Sequence, residues 1–166
     1  MEYYTTRTRD LHRRGVISLS SDYRPCVLAV FTNSAGEVLV AERKDRPGSW
    51  QFPQGGIDPG ESPEVALKRE MGEELGCEEF EILARAPDGI RYDFPVGRKG
   101  PHAGYCGQEQ VWFLMRFAAG CGPDLMRATH DEFVETAWVT PAEALRRIIS
   151  FKRDAYRAGL TALGLL

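Results

Sequence analysis

The chain has 166 residues, is 43% hydrophobic and 27% charged, and carries a formal net charge of −3. That length suits one domain with a sizeable core, and the balance excludes a disordered or membrane-embedded chain; no apolar run approaches the roughly 20 residues of a spanning helix. With a slightly acidic total, no global field draws in nucleic acid, so any RNA contact needs a local basic patch.

Residues 1–21 read as a basic N-terminal extension, with Arg7, Arg9, Arg13 and Arg14 and no apolar centre of a secretory signal. Residues 22–166 read as a single domain. Cys26 to Thr32 is apolar and β-branched and predicts a strand, turned by Asn33-Ser34-Ala35-Gly36 into a second strand, Glu37 to Arg43. Pro47-Gly48 marks a turn before Trp50-Gln51-Phe52. Beyond the glycine pair Gly55-Gly56 a helix begins. Ser62 is placed to cap it, Pro63 suits its first position, and Glu64 meets the positive end of its dipole. Leu67, Met71 and Leu75 form its apolar stripe, and Gly76 can end it in the left-handed conformation. Mid-helix Gly72, which costs about 1 kcal/mol against alanine, predicts close packing of another backbone. Further strands are expected at Glu79 to Ala86, Ile90 to Phe94, Gln108 to Phe117 and Val134 to Val139, with a loop from Val96 to Cys106. Helices are expected at Pro141 to Ser150 and Arg153 to Leu163. This order has no regular βαβ alternation, so a mixed sheet is expected. Trp112, Trp138 and Tyr156 read as core, and His12, His102 and His130 have no sequence partners that suggest catalysis.

The chemistry lies on the first helix. Glu70, Glu73 and Glu74 fall within about a 100° arc of one face. Like charges at that spacing repel, so the pattern calls for a compensating cation, and all-oxygen ligation points to Mg²⁺ or Mn²⁺. A solvated acidic helix surface is the plain alternative. Arg69 can pair with Glu61 or with an acidic neighbour and fix their rotamers. Cys26, Cys77, Cys106 and Cys121 show no Cys-x-x-Cys spacing; they suit reduced thiols in a cytosolic protein rather than zinc.

Gly55, Glu61, Arg69-Glu70, Glu73-Glu74 and Gly76 match the Nudix signature, with Met71 and Cys77 in its apolar slots. So many fixed positions over about two dozen residues are rarely accidental. The resemblance implies hydrolysis of a nucleoside diphosphate linked to another moiety. It also implies an α/β/α sandwich (α+β, mixed central sheet) with the signature as loop–helix–loop. Outside the signature, Tyr23-Arg24-Pro25, Trp50 to Gly56, Gly107 to Phe113, Glu132-Phe133, Trp138 and Ser150 to Asp154 resemble the bacterial RNA 5′-pyrophosphohydrolases and related dinucleoside polyphosphate hydrolases. Val111 stands where that subfamily usually has lysine, which removes a cation expected near the site.

The resemblance implies Glu70, Glu73, Glu74, Glu132 and the Gly55 carbonyl as metal ligands, with Glu73 and Glu132 as alternative general bases. It implies Arg24, Arg43, Gln108, Phe151 and Lys152 as substrate contacts, and Glu61 and Arg69 as structural parts of the motif. Phe151 has a second reading as a core residue. The substrates implied are RNA 5′ ends or dinucleoside polyphosphates, handled in the cytoplasm without DNA or membrane by a monomer or homodimer. Two rivals stand beside this: a hydrolase of free nucleotides or nucleotide sugars, and a catalytically silent nucleotide-sensing module.

Overall fold

The computed structural model describes residues 22–97, 102 and 104–166. The basic extension 1–21, with His12, and part of the expected 96–106 loop lie outside the described residues. The strands are β1 (Tyr23–Phe31), β2 (Val38–Arg43), β3 (Trp50–Gln51), β4 (Gln54–Gly56), β5 (Phe80–Arg85), β6 (Ile90–Asp93), β7 (Gly107–Phe117) and β8 (Phe133–Val139). The helices are α1 (Pro63–Leu75), α2 (Pro141–Arg147) and α3 (Arg153–Ala162), with a 3-10 turn at Ser150–Lys152.

β1 is apolar on both faces because it is covered on both. Val27, Ala29 and Phe31 face Ala66, Leu67, Met71 and Leu75 of α1. Leu28 and Val30 face Phe52, Trp112, Tyr156 and the apolar residues of α2 and α3. Each large aliphatic side chain so buried contributes about 1.5–3 kcal/mol. One sheet runs β4-β1-β7-β5, with β6 also paired to β7; the other runs β3-β2-β8. The β1–β7 pair is parallel and the other pairs are antiparallel. The result is the expected α/β/α sandwich with a mixed sheet. Trp112 and Tyr156 are fully buried, and Trp138 packs against the α1-side core.

α1 starts and stops where its sequence says. The Ser62 hydroxyl accepts from the Val65 N–H at 3.3 Å, Pro63 opens the helix, and Gly76 closes it at φ 65°. The last carbonyls of α1 are satisfied from outside the helix: Asp124 N–H donates to Leu75 O at 2.8 Å, and His130 N–H to Glu73 O at 2.9 Å. A Cβ on Gly76 would run into the Asp124 carbonyl. The segment 124–130 is thereby fastened to the helix end.

Several expectations shift. β1 extends three residues ahead of its apolar run, to Tyr23, because Tyr23, Arg24 and Pro25 pair with Gly107, Gln108 and Glu109. Gln54–Gly56 is a short strand paired to β1, not a loop. α2 ends at Arg147, short of Ser150, because Ile148 turns extended and bridges Trp50. Gly72 meets the Glu78 side chain rather than another backbone.

Candidate active site

A cleft of about 730 Å³ opens beside β4, the edge strand next to β1. α1 brings its acidic face to this edge. Glu74 is only 2% exposed, and its Oε2 accepts from the Gln54 N–H at 3.0 Å. Burial, and then the neighbouring Glu132 carboxylate, push the Glu74 carboxyl well above its ordinary value. Burial also raises Glu70, against the pull of Arg69. A Cβ on Gly55 would fall inside the Glu70 carboxylate, so only glycine leaves room for that group.

Arg69 ties the motif together. Its Nε and Nη2 form a fork on Glu61 at 2.9 and 2.8 Å. Nη1 reaches Glu70 at 2.8 Å and Glu73 at 3.2 Å, and Nη2 also donates to Gly56 O at 2.9 Å. This fork holds the Glu61 carboxyl below its usual range. Glu61 in turn accepts from the Asp58 N–H at 2.9 Å, which fixes the loop ahead of α1.

The donor set fits a divalent ion. Ligand atoms of Glu70, Glu73 and His130 lie within 4.8 Å of one another. The crowded carboxylates, two of them raised by burial, are a cluster that a cation would relieve. Glu70, Glu74 and Glu132 line the cleft, whereas Glu73 faces a neighbouring groove beside Lys68 and Arg69.

Arg24, Arg43, Gln108, Phe151 and Lys152 all line the same cleft. The Arg24 guanidinium lies against Gly56. Arg43 is gripped by Asp45 through two contacts of 2.7 Å and reaches Glu132 at 3.3 Å. Asp45 raises the affinity of that guanidinium for its proton. Lys152 is buried, with Nζ 3.4 Å from Gln51 Oε1 and 5.4 Å from the Tyr92 ring centre. The Gln108 Oε1 accepts from the Tyr92 hydroxyl at 2.5 Å. Gln110 donates to Gln54 at 2.8 Å, and Trp112 Nε1 to Gln110 at 3.2 Å, so the floor is a ladder of buried amides. Half-buried Phe151 stands 5.8 Å from Tyr92 at the cleft wall. Val111 is not on that wall. It packs on the α1 side with Val27, Leu67 and Met71.

Sequence reasoning missed Asp45, Arg46, Tyr92 and His130, all of which line the cleft. Asp45 carried a weak signal, two residues from Arg43 at the end of a strand. Tyr92 and His130 carried none, because long-range packing alone brings them in.

A glutamate-bearing helix capped by glycine, fed by a loop that a single arginine braces against an edge strand, is the catalytic unit of one hydrolase class. The NUDIX domain model matches residues 22–159, and the chain belongs to that family. Within it, the RNA pyrophosphohydrolase of Erythrobacter litoralis (strain HTCC2594) is 45% identical over 144 residues, covering 82% of this chain and 87% of that one. The RNA pyrophosphohydrolase of Helicobacter pylori (strain ATCC 700392 / 26695) is 44% identical over 143 residues, 84% of this chain and 92% of that one. In fold, the chain is similar to the E. coli dihydroneopterin triphosphate pyrophosphohydrolase, with a TM-score of 0.61 at 19% identity over 82% of this chain and 95% of that one. Among the described residues, no helix is long and apolar enough to cross a membrane.

Proposed function

We propose that this enzyme removes phosphates from the 5′-triphosphate or diphosphate end of RNA, leaving a 5′-monophosphate, and splits dinucleoside polyphosphates at the same linkage. The observation that carries this reading is identity of 45% across most of the domain with a protein named RNA pyrophosphohydrolase. The buried carboxylate cluster beside a cleft with basic and aromatic walls supports it. The site of action is the cytoplasm, which suits the free thiols, and the enzyme works as a monomer or homodimer without DNA or membrane.

Glu70, Glu73, Glu74, Glu132 and the Gly55 carbonyl would hold Mg²⁺ or Mn²⁺. When bound, such an ion neutralises polyphosphate charge and acidifies the attacking water. Glu132, partly exposed on the cleft wall, is better placed than Glu73 to accept that water's proton. Buried Glu74 holds its place through the Gln54 N–H. Arg24, Arg43 and Lys152 face the phosphates, with Arg43 held ready by Asp45. Gln108 offers hydrogen bonds from the amide floor. Arg69 and Glu61 keep the carboxylates in register.

The deciding experiment compares turnover of a 5′-triphosphorylated oligonucleotide, diadenosine tetraphosphate, dGTP and ADP-ribose, with Mg²⁺ and with EDTA. The RNA end is expected to be cleaved best and EDTA to stop all turnover. Preference for dGTP or ADP-ribose would point to a free-nucleotide or nucleotide-sugar hydrolase. No cleavage of any of the four substrates would point to a sensing module.

Phe151→Ala is expected to raise KM for the oligonucleotide about tenfold, consistent with about 1–3 kcal/mol for a stacked base, while kcat changes little. An unchanged KM, with lowered thermal stability, would assign Phe151 to the core instead.

A further inference from the structure

We propose that His130 is an additional ligand of the ion held by Glu70 and Glu73, giving this chain a nitrogen donor that the Nudix signature does not contain. The inference rests on the metal-site reading above and adds to it. The His130 Nδ1 lies 3.6 Å from Glu73 Oε2, and the ligand atoms of His130, Glu70 and Glu73 fit within 4.8 Å of one another. Its position is built rather than incidental. The His130 N–H is bonded to Glu73 O at 2.9 Å, on the helix that carries the carboxylates. Two residues on, Glu132 O accepts from the Lys44 N–H at 2.8 Å, and Lys44 also pairs with Asp131. The segment 130–132 is thus held from both sides, with the imidazole and the Glu132 carboxylate both on the cleft wall.

The chemistry of the donor sets the consequence. Mg²⁺ prefers an all-oxygen shell, whereas neutral imidazole suits first-row transition ions. The signature residues supply oxygen alone. A histidine beside them therefore biases the site toward Mn²⁺ and its heavier neighbours and leaves Mg²⁺ nearly unaffected. If His130 served only as an ion-pair partner of Glu73, the bound metal would have no nitrogen neighbour.

The test uses the full chain, stripped with EDTA and titrated with MnCl₂ in the absence of substrate. Electron paramagnetic resonance counts free Mn²⁺, and spin-echo modulation detects nitrogen bonded to the bound ion. Wild type is expected to show ¹⁴N modulation. His130→Ala and His130→Gln are expected to lose it and to bind Mn²⁺ about tenfold more weakly. Mg²⁺ affinity, measured by competition, should move less than about twofold. Bound Mn²⁺ without ¹⁴N modulation in wild type, or modulation that persists in both variants, overturns the role of His130 and leaves the carboxylate site standing. A wild-type chain that binds no Mn²⁺ at all sinks the metal-site reading together with this proposal.

Discussion

Glu74→Gln is expected to lower kcat by about 10³-fold with Mg²⁺ present while the chain still folds. Glutamine is nearly isosteric, and its carbonyl can still accept the Gln54 N–H that Glu74 holds at 3.0 Å. What disappears is a buried negative charge, next to Glu132, that only a cation would balance. The same substitution changes the pH response of the metal-free protein. Burial and Glu132 raise the Glu74 carboxyl in the folded state, so the folded chain binds that proton more tightly than the unfolded chain. The resulting stability is complete below the unfolded value of 4.5 and is lost as pH rises through the folded one. In EDTA, wild-type melting temperature should therefore fall more than that of Glu74→Gln between about pH 5 and about pH 8. Mg²⁺ should restore wild type and do less for the variant. Turnover near the wild-type rate would remove Glu74 from the ligand set.

Gly55→Ala should be nearly as damaging, for a steric reason. The added methyl would overlap the Glu70 carboxylate. The backbone cannot retreat, because Gly55 pairs with Val27 in the β1–β4 ladder and Pro53 O accepts the Ala29 N–H at 2.9 Å. Glu70 must swing out and leave Arg69. Overpacking of this kind costs about 1–3 kcal/mol, and a displaced ligand of this sort lowers kcat by about 10²-fold. The double variant Gly55→Ala/Glu70→Ala should recover much of the stability and none of the activity. If Gly55→Ala alone retained wild-type melting and turnover, the close approach of Glu70 would not be part of the working site.

The parts legible in the sequence share one property: their information is local. Ser62, Pro63, Leu67 and Gly76 announce α1 because capping and periodicity act within a few residues. Arg69 was seen to need acidic partners for the same reason, and it takes three of its own motif. Errors arose where a distant element decides. The apolar run alone starts β1 three residues late, because Pro25 and its neighbours become strand only by pairing with β7. Ile148 reads as helix until Trp50 claims it. Spacing within β7 likewise could not say that the face carrying Val111 meets α1. His130 looked idle because its neighbours in space, Glu70 and Glu73, lie more than fifty residues away in the chain.

The fastening between the tail of α1 and the 124–130 segment runs through main-chain atoms: the amides of Asp124 and His130 meet the carbonyls of Leu75 and Glu73. Backbone amides are the same whatever side chain sits on them, proline excepted. At position 130 residue identity can therefore drift without breaking that bond. Donors at the mouth of the site become interchangeable parts, and a point change at position 130 is a route to retuning ion preference with no remodelling of the scaffold.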